Sequence, residues 1–100
     1  MTIRIDPENN EIRALIDRVD FSGQRVLEIG CGDGRLTWRY AGRAGHVTAL
    51  DAFADGITRA KENIPDELKG RVEFQHVAFE DFAAASGPSA FDIAILSWSL

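Results

Sequence analysis

The chain alternates between the two apolar spacings that distinguish strands from helices. Apolar runs of strand length occupy residues 25–30 (RVLEIG), 46–51 (HVTALD) and 91–100 (FDIAILSWSL). Residues 71–77 (RVEFQHV) instead alternate apolar and polar positions. A continuous apolar run is typical of a strand covered on both faces, and alternation is typical of a strand with one exposed face. The pattern therefore predicts four strands, with the last of them buried and centrally placed.

Helical spacing begins ahead of the first predicted strand. Asp6 and Pro7 form a helix-start signal, because aspartate caps helices and proline suits the first helical position. Four apolar residues then share one face at i, i+3, i+4 and i+7: Ile12, Leu15, Ile16 and Val19. This pattern predicts an N-terminal helix that ends near Ser22 and Gly23.

Between the strands, residues 35–42 and 52–64 predict two further helices, and residues 79–85 predict a short helix or loop. The second of these has an apolar face at Phe53, Ile57, Ala60 and Ile64. Strands that alternate with such crossovers predict an α/β fold with a parallel sheet and helices on its faces. We expect one domain over residues 1–100, with a helical segment at 1–23 and the sheet with its crossovers at 24–100.

Three glycines at alternate positions follow the first predicted strand: Gly30, Gly32 and Gly34. Glycine tolerates positive φ, and its missing Cβ lets a ligand approach the backbone. In an open parallel sheet, ligands bind beyond the carboxyl ends of the strands, where Asp51 also lies. Glu28 sits inside an apolar strand and needs partners, because an unpaired buried carboxylate is costly. These features predict a ligand site at one edge of the sheet.

Composition and charge narrow the class of protein. A formal net charge of -5 and a pI near 4.9 argue against direct nucleic-acid binding. The single cysteine, Cys31, excludes an intramolecular disulfide, and neither His46 nor His76 has metal-ligand spacing, so we expect no metal. The N-terminus is too polar for a signal peptide, and no apolar run approaches the roughly 20 residues of a membrane span. We expect a cytoplasmic protein with no membrane partner.

Three motifs carry a resemblance to a known family. VLEIGCGDGRL (26–36) resembles motif I of the class I S-adenosylmethionine-dependent methyltransferases, in which an acid precedes three alternating glycines. VTALDAF (47–53) resembles the family's second motif, and FDIAILSWSL (91–100) resembles its fourth-strand motif. The resemblance covers about residues 26–100. It implies a Rossmann-like three-layer α/β/α fold with an open parallel sheet in the strand order 3-2-1-4, truncated after the fourth strand.

The resemblance also implies S-adenosylmethionine as cofactor and S-adenosylhomocysteine as product. The cofactor-binding residues that it implies are Glu28, Gly30, Cys31, Gly32, Gly34, Asp51, Ala52, Phe53, Ala78, Phe79 and Ser97. Asp51 would accept hydrogen bonds from the ribose, and Glu28 would help to hold the methionine end. Ala52 and Phe53 would pack on adenine, and Ser97, with Trp98, would border the site of methyl transfer.

The sequence departs from the family at Val77, where relatives often carry an acid that binds the adenine amino group. Backbone groups at Ala78 and Phe79 would then recognise the adenine in place of an acidic side chain. On its own, Cys31 is interpreted as a small residue filling the turn rather than as a nucleophile. Asp92 is interpreted as a structural residue at the start of a strand.

The methyl acceptor and any catalytic base stay open. A small-molecule acceptor is preferred, because SWSL (97–100) lacks the Asn/Asp-Pro-Pro-Tyr motif of amino-directed nucleic-acid enzymes. One alternative is a non-catalytic module or inactive fragment that binds the cofactor. A more remote alternative is an NAD(P)-dependent oxidoreductase, against which Arg35 argues because the dinucleotide fingerprint places glycine there. The last strand has the composition of a central strand, but the sequence stops at its end. We therefore expect residues 93–100 to form an uncovered sheet edge through which the chain dimerises or aggregates.

Overall fold

The computed structural model describes residues 2–5, 16–85 and 91–97 of the chain. These residues form one parallel sheet, whose strands are β1 (Thr2–Ile5), β2 (Arg25–Ile29), β3 (His46–Asp51), β4 (Val72–His76) and β5 (Ile93–Ser97). Their spatial order is β1-β5-β2-β3-β4. The four predicted strands thus lie in the order 3-2-1-4, which confirms the expected topology. The carboxyl ends of all the strands meet at the same edge of the sheet.

The crossovers contain short helices whose bounds lie close to the predicted ones. They are α1 (Arg35–Tyr40), α2 (Ala54–Asn63) and α3 (Phe79–Ala85), with 3-10 turns at Ala41–Arg43 and Asp66–Leu68. The expected N-terminal helix is seen only at residues 16–18, because residues 6–15 lie outside the described part of the chain. No helix among the described residues is sufficiently long and apolar for a membrane crossing.

The main core lies on one face of the sheet. Paired residues of parallel strands share a face, and the register places one set together: Val26, Glu28, Val47, Ala49, Val72, Phe74, Ile93 and Ile95. All of these side chains are buried, and helix residues such as Tyr40, Ile57 and Ala60 join the same cluster. On the opposite face Leu27, Thr48 and Leu50 are also buried. Glu73, on the outermost described strand of that side, is exposed, as its alternating pattern predicts.

The strand β1 corrects two expectations. It pairs in parallel with β5, from Thr2 opposite Ala94 to Ile5 opposite Ser97. Residues 1–23 are therefore not wholly helical, and the segment 93–97 is not an uncovered edge. The physical reason is that Thr-Ile-Arg-Ile has the alternation of a strand, and its backbone supplies the hydrogen-bond partners that β5 needs on its outer side. Residues 98–100 lie outside the described chain.

A charged pair at the amino ends of the strands joins β5 to β2. The backbone N–H of Arg25 donates to Asp92 Oδ2 at 2.9 Å, and the N–H of Asp92 donates to the Arg25 carbonyl at 2.8 Å. The Arg25 guanidinium adds hydrogen bonds to both carboxylate oxygens. These contacts set the register from Val26 and Ile93 onwards. Asp92 is structural, as expected, and lies at the edge remote from the glycines.

Hydrogen bonds from the Arg25 side chain, and then from its backbone, lower the pKa of Asp92. Because the folded-state pKa lies below that of the unfolded chain, the carboxylate stabilises the fold fully above the unfolded pKa. That contribution is lost as the pH falls through the folded-state pKa. Asp92→Asn should therefore lower the urea midpoint near pH 7, and the gap to wild type should close in acid.

The matched control is Asp66→Asn, which removes an ion pair with Lys69 on an exposed turn. Its effect should be small, because exposed ion pairs contribute little. Urea unfolding across a pH series measures both variants. A gap between Asp92→Asn and wild type that stays constant down to strongly acidic pH would contradict the assignment.

Candidate functional site

The three alternating glycines form the turn from β2 into α1, and each has a positive φ. The angles are 83° at Gly30, 56° at Gly32 and 91° at Gly34. Side chains other than glycine rarely adopt this conformation, so the spacing reflects a backbone requirement. The N–H groups of Gly30 and Cys31 both donate to the Leu50 carbonyl, at 2.8 and 3.0 Å. The turn is thereby fixed to the end of β3.

Asp51 connects this turn to the loop that follows β3. Its Oδ2 accepts a hydrogen bond from the Gly32 N–H at 2.8 Å, and its Oδ1 accepts one from the Phe53 N–H at 2.8 Å. A carboxylate oxygen has two lone-pair sites, so both oxygens keep acceptor capacity for a ligand hydroxyl. The acid predicted to bind ribose therefore also organises the backbone on either side of it.

A groove of about 250 Å³ opens at this edge of the sheet. Six predicted cofactor residues line it: Gly30, Asp51, Ala52, Phe53, Ala78 and Phe79. Ile29, Leu50, Val77 and Glu80 complete the lining. The structure thus brings together residues from the ends of β2, β3 and β4, as the position of the motifs predicted.

Two exposed aromatic side chains mark the groove. Phe53 is 78% exposed and Phe79 is 44% exposed, although large apolar side chains are usually buried. The spacing of Phe53 predicted that it would pack in the core with Ile57 and Ala60. Those two residues of α2 are buried, but Phe53, which precedes the helix, is not. Aromatic rings left in solvent beside a carboxylate suit a ligand with a flat ring and hydroxyl groups.

Glu28 is fully buried and holds α1 against β2. Its Oε1 accepts hydrogen bonds from Thr37 Oγ1 at 2.8 Å and from the Tyr40 hydroxyl at 2.6 Å. Burial, and next the nearby charge of Glu28, raises the pKa of Tyr40 well above its usual value, so this hydroxyl remains a donor. The sequence analysis did not predict the contacts of Glu28 with Thr37 and Tyr40. The available signal was their spacing, because residues three apart on a helix share one face.

The thiol of Cys31 is buried within the glycine turn. Burial raises its pKa strongly, and the negative charges of Glu28 and Asp51 raise it further. A thiol must ionise to act as a nucleophile, so this environment makes Cys31 unreactive. Its place in the structure agrees with its interpretation as a residue that fills the turn.

At Gly34 and Gly56, neighbouring atoms lie so close that they leave no space for a side chain. A Cβ at Gly34 would lie 2.6 Å from the Trp38 ring, whose edge packs against Phe74 with ring centroids 5.5 Å apart. A Cβ on Gly56 of α2 would lie 2.9 Å from the Gly32 backbone. Gly56 was not predicted as part of the site, and a lone glycine within a helical pattern was its only signal. A Cβ at Gly32, by contrast, would meet no atom within 4 Å.

Not every predicted residue has a described side chain. Ser97 ends β5 at the same edge of the sheet, but only its backbone is described, and Trp98 lies outside the described residues. Within residues 2–5, 16–85 and 91–97, no group of three potential ligands could hold a metal ion.

A family model described as "Methyltransferase domain" matches residues 26–100. The chain belongs to the class I S-adenosylmethionine-dependent methyltransferases. S-adenosylmethionine is the cofactor of this family, and membership removes the oxidoreductase alternative. The model begins at Val26, the first apolar residue of β2, and so includes the glycine turn and Asp51.

Relatives of the methyltransferase domain act on different acceptors, according to their names. The chain is 37% identical over 79 residues to a mitochondrial ubiquinone biosynthesis O-methyltransferase of Schizosaccharomyces pombe, covering 77% of this chain and 28% of that protein. It is 31% identical over 93 residues to phosphoethanolamine N-methyltransferase 1 of Triticum aestivum, covering 93% of this chain and 18% of that protein. The chain thus spans less than a third of either relative.

A solved structure agrees with this fold. An S-adenosylmethionine dependent methyltransferase from Mesorhizobium loti matches with a TM-score of 0.68 at 23% identity, covering 87% of this chain and 37% of that one. At this identity the match shows the shared fold alone.

The glycine turn of the methyltransferase domain yields a paired prediction. Gly34→Ala should destabilise the fold by at least about 2 kcal/mol, because a positive φ and overlap with a packed ring both oppose it. Gly32→Ala has open space around the new Cβ and should cost only about 1–2 kcal/mol of backbone strain. Urea unfolding of both variants gives the two values. Equal losses, or a larger loss for Gly32→Ala, would contradict the assigned contacts.

Proposed function

We propose that this chain is the cofactor-binding part of a methyltransferase that transfers a methyl group from S-adenosylmethionine to a small-molecule acceptor. The observation that carries the proposal is the Asp51 carboxylate, held between the Gly32 N–H and the Phe53 N–H at the mouth of the groove. This arrangement places the charged acceptor and the exposed ring two residues apart on the loop after β3, beside the open backbone of the turn after β2.

The residues fit the cofactor group by group. The Asp51 oxygens accept hydrogen bonds from the ribose hydroxyls, since charged acceptors make the stronger hydrogen bonds. Phe53 and Phe79 offer exposed ring surface to the adenine, with Ala78 between the strand end and α3. The open space beside Gly32 lets the ligand lie against the backbone. When bound, S-adenosylmethionine supplies an electrophilic methyl group on a sulfonium sulfur.

Glu28 lies buried beneath the groove and does not line it. Its bonds to Thr37 and Tyr40 hold α1 in place and so fix the far end of the glycine turn. The role that this chain performs is orientation: a fixed cofactor presents its methyl group in one direction, which lowers the entropic part of the barrier. No catalytic base is assigned.

The preference for a small-molecule acceptor rests on two considerations. The acidic net charge of -5 disfavours a phosphate backbone as a direct partner. Relatives named for ubiquinone biosynthesis and for magnesium-protoporphyrin O-methylation support a small molecule, while another is named for 23S rRNA. A module that binds the cofactor without transferring a methyl group is the second candidate, because the chain spans only part of each relative.

Calorimetric titration of the full chain with S-adenosylmethionine, S-adenosylhomocysteine and NAD tests the proposal. Saturable binding of the first two, but not of NAD, is the expected result. Incubation with radiolabelled S-adenosylmethionine and a panel of small acceptors then separates an enzyme from a binding module. Labelled product supports transfer, and binding without any product supports the module. Absence of binding by both sulfur compounds would refute the proposal.

Replacing Asp51 tests the ribose contact directly. Asp51→Ala should weaken S-adenosylhomocysteine binding by about 1.5–3 kcal/mol, as expected for hydrogen bonds to a charged group. Asp51→Asn keeps an acceptor without the charge and should give an intermediate loss. Asp55→Ala is the matched control, because Asp55 is exposed in the first turn of α2 and does not line the groove. Affinity for Asp51→Ala equal to that of the control would remove Asp51 from the site.

A further inference from the structure

The peptide unit between Ala52 and Phe53 is hydrogen-bonded at both of its polar groups. Its N–H donates to Asp51 Oδ1 at 2.8 Å, and its carbonyl oxygen lies 3.0 Å from His76 Nε2. Two bonds on opposite edges of one peptide plane fix the orientation of that plane. This peptide unit leads directly into Phe53, the most exposed aromatic ring at the groove.

Backbone restraint matters at this position because side-chain packing is weak. Phe53 is 78% exposed, and Ala52 is exposed as well. A buried ring is held by its neighbours, whereas for an exposed ring the backbone sets the Cα position and the direction of the Cα–Cβ bond, about which the ring rotates. The two hydrogen bonds on the Ala52–Phe53 peptide therefore limit the positions that the ring can take relative to Asp51.

His76 reaches the peptide from the last residue of β4. It is the register partner of Asp51, and the next residue, Val77, donates its N–H to the Asp51 carbonyl at 3.0 Å. The end of β4 thus contacts the loop through both backbone and side chain. Because a carbonyl oxygen only accepts hydrogen bonds, Nε2 of His76 must carry the proton.

We propose that His76 is a positioning residue for the cofactor: by holding the Ala52 carbonyl, it orients Phe53 and the Asp51 carboxylate before the ligand arrives. The proposal rests on the proposed function, since the ligand is the cofactor named there. His76 acts through the loop, and it does not line the groove itself. Preorganisation of this kind strengthens binding because less ordering remains to be done when the ligand binds.

Three variants of the full chain test the proposal. His76→Ala removes the donor, and His76→Gln restores an N–H at a similar distance from the backbone. His46→Ala is the matched control, because His46 lies at the opposite end of the sheet, as the first residue of β3. Each is titrated with S-adenosylhomocysteine, and amide hydrogen exchange at Phe53 is followed by NMR without ligand.

His76→Ala should weaken binding about five- to tenfold, the worth of one hydrogen bond, while His76→Gln and His46→Ala stay within about twofold of wild type. Exchange at the Phe53 amide should accelerate in His76→Ala alone, and the fall in the urea midpoint of that variant should be restored in His76→Gln. A merely structural histidine would lower the midpoint and leave the S-adenosylhomocysteine affinity of the folded protein unchanged.

Two results would overturn the proposal, and they are distinguishable. If wild type binds S-adenosylhomocysteine and His76→Ala binds it equally well, His76 has no positioning role, and the proposed function stands. If wild type does not bind the compound at all, the proposed function fails, and the positioning role fails with it.

Discussion

The candidate site depends on one carboxylate that accepts hydrogen bonds from two backbone N–H groups. Asp51 accepts from Gly32 in the turn after β2 and from Phe53 in the loop after β3. The two neighbouring strands bring these segments close, but strands alone do not determine how their loops face each other. The carboxylate does so together with the Leu50 carbonyl, because it satisfies a donor on each loop while staying at the rim of the groove. The rest of the site is arranged around this link.

The two carboxylates near the site, Glu28 and Asp51, differ in burial, and this difference separates a structural role from a ligand-binding one. Glu28 is fully buried and accepts hydrogen bonds from two hydroxyl groups of α1. Its role is therefore structural: it holds α1 against β2. Asp51 is only half-buried and keeps contact with the groove. Both carboxylates act on Cys31, whose burial already disfavours the thiolate. Of these two carboxylates only Asp51 lines the groove, so it is the one placed to contact a ligand.

Local pattern was sufficient for four of the five described strands, because the apolar pattern of each is continuous in sequence. The sheet order followed from the resemblance to the family, and the groove lies at the edge where the motifs placed the ligand site. The glycine spacing predicted a turn with positive φ, and the acid at the end of β3 lay where the motif placed it. Contacts between distant segments were not predictable in this way. Nothing local in His76 indicates the Ala52 carbonyl, and nothing in Gly56 indicates the Gly32 backbone. The strand β1 was missed for a different reason: its alternation is only four residues long and gives little signal.

The pairing of β1 with β5 has a consequence for how the chain reaches this fold. The first and last strands described are direct neighbours, with Ile3 opposite Ile95. Contacts between such remote segments raise the contact order, and closing so long a loop slows folding. A ribosome-bound chain exposes β2, β3 and β4 before β5 has been synthesised. The inner strands therefore have an opportunity to assemble first, and the outer side of the sheet closes only when the end of this sequence has emerged.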